Sequence, residues 1–594
     1  MSPILSKGSA KRRNRKIFYL PILLLVVLVV SYVIFDGIFP KKQAERFPPR
    51  FTISQQTTIA LGPVTESGFL DYAEAINRKL GDGLAAKDNA AIDLIRALGP
   101  AVDAHAFGVD DRTSEFQEIW KKLDMGPFPD DSEFFMTVMQ FHASLESAEP
   151  TPEREQDPPE ITPTQAAEDE LESALARPWK REEHPFLVKW LKKNENPLKL
   201  LNSALKKKAF FIPCQSVTPK QVSLLRQGMD DDAESLLVLP GTVSVSKLVE
   251  VRKALAAQAM LLLGEGRHEE AWKVLRDSHR LAALLSTNGS LMDLVLGVAF
   301  DMPLQDATLA FFQEKQIKPE FFKSMIRDLQ NLEKYESPAK SYDLFERYFD
   351  LSYIMAYNSG GIETALHLYR NSTFEKGTDL PELTEWGGRF FSRRQKQAMS
   401  QIQWDPILKQ TNDYFDKVVA ALATPDRAAR YAALKQLQAD RDMVKPAMRA
   451  AFKQWVDYLY RYQYESGWDM QKSTADFCTV LFSDNFLSIQ RMLDRGEQKW
   501  INLAVAAALE ACKREKGAYP AKLSDLSPDY LKEIPKDLFS QKELIYRRTA
   551  NGYLLYSVGA NETDDGGKMQ NSGEHTGDIG MEMPPPAKPL NQKR

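Results

Sequence analysis

Apolar and polar positions divide the chain into one lipid-like run and a long series of segments with helical spacing. The run is Ile17–Phe35 (IFYLPILLLVVLVVSYVIF), which carries no charge. At about 1.5 Å rise per residue, a helix of that length covers roughly the 30 Å hydrocarbon core of a bilayer. Pro21 falls in its first turn, where a missing N–H costs little. Lys7, Lys11, Arg12, Arg13, Arg15 and Lys16 precede it and are expected to stay in the cytoplasm. A cleaved signal peptide would need a shorter apolar core and a small-x-small site after it, and DGIFPKKQAERF offers none. The expectation is a cytoplasmic basic tail over 1–16 and an uncleaved transmembrane anchor over 17–36. The anchor's partner is the lipid bilayer, and the bulk of the chain is placed in the periplasm.

Beyond the anchor, RFPPRFTISQQTTIALGP reads as an extended stalk with a short strand at Phe51–Ala60. Helical spacing then covers Tyr72–Leu80 and Asn89–Leu98, the latter stopped by Gly99-Pro100, followed by Ser114–Leu123 and Ser132–Leu145. These form a helical part over 43–145. The segment EPTPEREQDPPEITP (149–163) is rich in proline and acid, so 146–176 reads as a solvated linker. From 177 to 496 helix follows helix. The clearest pair is Lys247–Leu263 and Ala271–Leu285, joined by GEGRHEE. Leu248, Val251, Leu255, Ala259 and Leu262 line one face, and Ala271, Val274, Leu275, Leu281 and Leu285 answer them. The pair resembles one tetratricopeptide hairpin, but no second copy follows at that period. More helices are expected at Leu291–Phe312, Pro319–Leu332, Ser341–Tyr357, Ile407–Leu422, Asp426–Gln438 and Lys445–Tyr464.

The final hundred residues change character. Glu497–Glu515 is an amphipathic helix with a small-residue face of Ala504, Ala507, Ala508 and Ala511, ended by Gly517. Leu544–Arg548 and Tyr553–Val558 read as strands around Asn551-Gly552, a strong hairpin signal. A module over 497–583 and a disordered tail over 584–594 complete the chain. The predicted fold class is mainly α: a transmembrane helix, an irregular multi-helix ectodomain and a small α+β C-terminal module.

Composition bounds the chemistry. With 43% hydrophobic and 27% charged residues, the chain can build a real core. A net charge of -4 gives no global field for nucleic acid, so no nucleic-acid partner is expected. Cys214, Cys478 and Cys512 are too dispersed for a zinc or redox motif. No Walker A loop, Rossmann glycine fingerprint, HExxH or nucleophile elbow occurs. Ser203–Lys206 and Ser337–Lys340 fit SxxK, and Ser483-Asp484-Asn485 fits SDN, a combination that resembles serine enzymes of peptidoglycan metabolism. The Lys-Thr-Gly element and the α/β sheet of those enzymes are missing from the pattern. The aromatic run Trp455–Tyr464, with Trp468 nearby, offers rings for sugar stacking and acids in Asp457 and Glu465. At helical spacing, however, Trp455, Leu459 and Tyr462 form a core stripe. The basic stretch Lys180–Lys208 is diluted by Glu182, Glu183 and Glu195, which favours a solvated helix face.

One group of residues carries a family signal. Gly517-x-Tyr519-Pro520 follows the long helix, and Tyr530-Leu531 and Ile534-Pro535-Lys536-Asp537 come next. Tyr556-Ser557-Val558-Gly559-Ala560-Asn561, Gly566-Gly567 and Gly577-Asp578-Ile579-Gly580 complete the set. This segment resembles the C-terminal globular part of the major pseudopilins of type II secretion. The resemblance implies a calcium ion in the loop after the last strand, with Ser557, Asn561 and Asp578 as ligand positions. Asp564 and Asp565 add carboxylates within that loop, in keeping with the oxygen-rich coordination calcium takes. Asn561 stands where the pseudopilin pattern has Asp, and the stretch between Gly567 and Gly577 is longer and contains His575. An Asx-rich turn that caps its own backbone is the competing reading. The anchor lacks a pilin's peptidase site and early glutamate. More broadly, TIALGPVTESGFLDYAEAIN (58–77), NAAIDLIRALGP (89–100) and RPWKREEHPFLVKWLKKNENPL (177–198) resemble membrane-anchored proteins of Planctomycetes-type bacteria. That group implies localisation and architecture rather than an activity.

These features lead to the expectation of a membrane-tethered helical protein that meets an envelope protein partner without catalysis. The alternatives are an envelope hydrolase acting on glycan or peptidoglycan, and an accessory to a type II secretion-like system.

Overall fold

Segments with one apolar face become helices, and several of them open on a polar side chain that closes the first turn. The computed structural model describes residues 48–99, 119–126, 128, 132–146, 163–217, 236–241, 243–360, 400–456, 469–480, 486–569 and 577–585. The expected anchor Ile17–Phe35 lies outside them. The protein is mainly helical, with 16 α-helices and two small sheets among the described residues.

The first core is assembled from segments far apart in sequence. Helix α1 (Tyr72–Gly81) starts at Asp71, whose side chain accepts from the amide of Glu74. Helix α2 (Ala90–Leu98) starts at Asn89 and ends at Gly99, which takes φ +83° and donates to Ile95. The Asn89 amide also clamps the backbone of Phe211, donating to its carbonyl at 2.7 Å and accepting from its N–H at 3.0 Å. Helices α3 (Val138–Glu146), α4 (Pro163–Ala176), α5 (Pro185–Lys193) and α6 (Glu195–Ala204) follow, and α6 packs on α2. Residues 132–137 were expected to be helical. They lie outside the helix instead, where Phe135 donates to the Ala97 carbonyl and Met136 to the Asn194 side chain.

Helix α4 lies inside the segment expected to be a linker. Ala167, Leu171 and Ala174 bury one of its faces, and α4 packs on the later helix α7 (Val245–Gly264). Glu168, Asp169 and Glu172 are exposed on its other face. Between them in sequence, β1 (Gln215–Val217) and β2 (Leu237–Leu239) pair antiparallel, an element with no local signal. Helix α7 pairs with α8 (His268–Leu285) as expected. Gly264 lets the hairpin close on the preceding loop, since a Cβ there would lie 2.1 Å from the Trp179 carbonyl oxygen.

Helix α9 (Leu291–Gln313) is the one described helix long and apolar enough to cross a bilayer. It packs on α7 and α8 and carries the buried Asp293 and Asp301, the pattern of a core helix. Helix α10 (Pro319–Gln330) follows. The short α11 (Pro338–Ser341) then passes through a π turn, Tyr342–Glu346, into α12 (Arg347–Gly360). Helices α13 (Trp404–Leu422), α14 (Arg427–Val456) and α15 (Met470–Val480) pack together. With α1, β2 and α12, residues of α13 and α15 make a second core. The strand expected at Phe51–Ala60 is a hydrogen-bonded turn. Thr58 and Ile59 both donate to the Ser54 carbonyl, and Asn412 of α13 holds the carbonyls of Gln56 and Thr57.

Helix α16 (Phe486–Lys516) crosses the boundary expected at 496/497 without a break. It packs on α9 and α10 and then supports the sheet of β3 (Ile545–Arg548), β4 (Tyr553–Ser557) and β5 (Ile579–Met583). The order is β3-β4-β5, all antiparallel, and β5 was not foreseen. Gly552 ends the turn where β5 passes close by, since a Cβ there would meet the Met583 carbonyl.

Candidate functional site

The loop from β4 to β5 holds the residues singled out for calcium. Asp578 sits immediately before β5 and is 1% exposed. Its carboxylate accepts from the amides of Gly567 at 2.7 Å and Asp565 at 3.3 Å. Exposed Asp564 accepts from the Tyr556 hydroxyl and the Gly566 amide, both at 2.9 Å. Asn561 donates to Asp565 at 2.9 Å and accepts from the Thr563 amide. The structure therefore brings Asn561, Asp564, Asp565 and Asp578 into one loop.

Ser557 belongs to a different set. Its hydroxyl donates to Asp537 at 2.8 Å, and the same buried carboxylate accepts from Val558, Phe539 and Ser540. Asp537 is the loop's organising acid, and sequence inspection singled it out only as part of a motif. His575 lies outside the described residues.

Charge in the loop is unevenly held. Burial pushes the Asp578 carboxyl above the usual carboxylate range, its two amide donors oppose this, and Asp565 and Asp564 push it further up. The Gly566 amide and the Tyr556 hydroxyl hold Asp564 below that range. The oxygens are of the kind calcium takes. As arranged, however, no three His, Cys, Asp or Glu side chains among the described residues converge on one point. Backbone N–H groups close the loop onto its carboxylates, which is the Asx-turn arrangement weighed against calcium.

The enzyme-like motifs are used structurally where they are described. Ser337 caps α11 by accepting from Ala339, while Lys340 pairs with Glu336 at 2.6 Å. Ser203 and Lys206 are exposed at the end of α6, and Lys206 lies beyond the helix. Ser483–Asn485 and Tyr458–Trp468 fall outside the described residues. The basic stretch is laced with ion pairs: Lys192 and Lys199 with Glu195, Lys193 with Glu133, and Lys207 with Asp93.

Two further features had no local signal. Glu346, half-buried, turns its carboxylate onto the Leu291 amide at the start of α9, where Ser290 and Asp293 form a capping box. One helical turn on, Asp350 is 3% exposed. Burial pushes Asp293 up to about 6 and Glu346 up to about 7. Asp350 is raised further by burial and by Glu346, with Arg441 opposing. Asp293 and Glu346 thus both bond at the N-terminus of α9, whose partial positive charge partly offsets their crowding.

The second feature is a groove of about 280 Å³ between α5–α6 and the α7–α8 hairpin. Leu198, Leu255 and Leu281 lie along its floor, and Lys199, Lys273 and Asp277 stand at its rim. Leu255 and Val274, assigned from the sequence to the hairpin core, are only partly covered and face this groove.

No family model, curated protein or solved structure matches the chain. Its functional reading therefore rests on its own geometry.

Proposed function

We propose that the chain is a membrane-tethered, extracytoplasmic helical protein that binds a partner protein at the cell envelope. In this reading Ile17–Phe35 anchors it with the N-terminus in the cytoplasm, and a pseudopilin-like module closes its far end. The α5–α8 groove carries the proposal. Partly covered leucines between charged rims are what an amphipathic helix from a partner would cover. A photo-crosslinking residue in place of Asn202 or Gln258, in cells making the full chain, should give a discrete protein adduct. Lys273→Glu should abolish that adduct, and an equivalent residue at Lys435 on α14 should give none. Equal labelling from all three positions would overturn the groove as the contact. Protease added to intact spheroplasts should remove the bulk of the chain, and full protection would reverse the orientation.

A calcium ion at the C-terminal loop is part of the same proposal. Asp564, Asp565 and Asp578 crowd one another, and a cation drawing them together would relieve Asp578. Calorimetric titration of the full chain in detergent should show calcium binding that Asp565→Asn weakens at least several-fold. Absence of heat in the unaltered protein would remove the cation from the proposal.

A further inference from the structure

Residues 51–65 (FTISQQTTIALGPVT) carry no charge, yet they form surface structure. Leu61 is 62% exposed, Val64 52% and Ile53 37%, three of the eight large apolar side chains most exposed among the described residues. Single exposed leucines need no explanation, but three on one uncharged segment do.

The backbone that presents them is tied down. The Thr58 hydroxyl bonds the carbonyl of Ala60, and the Tyr72 hydroxyl donates to the carbonyl of Thr58. Asn412 holds the carbonyls of Gln56 and Thr57, and the Thr52 amide donates to Asp405. On the other side of the loop, Asp71 donates to the Pro63 carbonyl, and Val64 bridges to Leu70. The apolar side chains are therefore held outward by a fixed frame.

Position in the chain names the occupant. Only residues 36–50 separate Phe35 from the start of this segment, a tether of at most about 54 Å when fully extended. Lys41, Lys42, Arg46 and Arg50 fall along it, against the two acids Asp36 and Glu45. Basic residues beside apolar side chains suit the headgroup layer of an anionic bilayer.

We infer that Leu61–Val64 and Ile53 rest in the interfacial layer of the membrane and set the orientation of the helical body upon it. This rests on the anchor reading above. The lipid surface is the ligand, with anionic headgroups meeting the flanking cations and the acyl boundary meeting Leu61 and Val64.

The test uses the full chain in vesicles of phosphatidylcholine with phosphatidylglycerol. Leu61→Cys, Val64→Cys and, as reference, Met443→Cys are each labelled with an environment-sensitive fluorophore. Met443 is 72% exposed on α14, and the three native cysteines are buried. Probes at 61 and 64 should emit to the blue and be quenched several-fold by nitroxide-bearing lipid, whereas the probe at 443 should not. Water-like emission at both sites, in protein that stays with the vesicles through an alkaline carbonate wash, would overturn the inference and leave the anchor standing. Release of the chain by that wash would overturn the anchor itself, and the inference with it.

Discussion

Asp301 shows what one residue does in the middle of this fold. It lies on α9 at 1% exposure, bonded to His279 of α8 and Tyr335, and accepting from Trp500 of α16 and Gln305. One carboxylate thus bonds four polar side chains, of which His279 and Gln305 are buried. Asp301→Ala should cost about 3–5 kcal/mol in urea unfolding, because it strands these donors. Asp293 makes a different prediction. Burial raises its carboxyl to about 6 from an ordinary 3.8, so the folded state holds a proton that the unfolded chain releases. Its effect on stability is absent below about pH 4, grows as the pH rises to about 6, and is then complete, a loss of about 3 kcal/mol. Glu346, raised to about 7 for the same reason, extends the slope upward. Unfolding midpoints between pH 4 and 7 should therefore fall with pH, and Asp293→Asn should flatten the lower part of that fall.

Among the elements, α16 does most to join the parts. Its alanine face was visible in the sequence, and Ala506, Ala507, Ala508 and Ala511 are fully buried. Small side chains let α10 on one side and β4–β5 on the other approach the same helix closely. Ala508→Leu should therefore destabilise the protein by about 1–3 kcal/mol through overpacking, measurable by thermal or urea unfolding. Near its end, Arg514 pairs with buried Glu510 and donates to the carbonyls of Phe312 and Glu314, closing the C-terminus of α9. The α7–α8 hairpin and the β3–β4 hairpin were equally legible, because periodicity, glycine turns and Asn551-Gly552 are local signals. The β1–β2 pair and β5 were not. Each is a short strand whose partner lies many residues away, so nothing nearby in the sequence specifies it.

At the scale of the molecule, apolar packing crosses the expected boundaries at 145/177 and 496/497. One core runs from Ala90 to Met583, including residues of α2, α4, α7, α9, α10, α16 and the C-terminal sheet. A second joins residues from Ala60 to Cys478. Removing 497–594 would strip α10 and α9 of the helix that covers them and leave part of this apolar surface in water. Such a truncated chain is expected to lose cooperative thermal unfolding and to aggregate. Removing only the tail 586–594 should leave the transition unchanged.

The helix positions between Lys247 and Leu332, the glycine stops and the C-terminal hairpin were determined by the sequence alone, since each depends on residues within one or two turns of one another. Tertiary structure alone decided which acids are buried, because Asp301, Asp293 and Asp537 are ordinary carboxylates until distant segments close around them. It also decided that residues 163–176 are a packed helix, and that Leu255 and Val274, packed against the core, also line a groove. Those outcomes depend on packing between segments about twenty to two hundred residues apart, which no local spacing encodes.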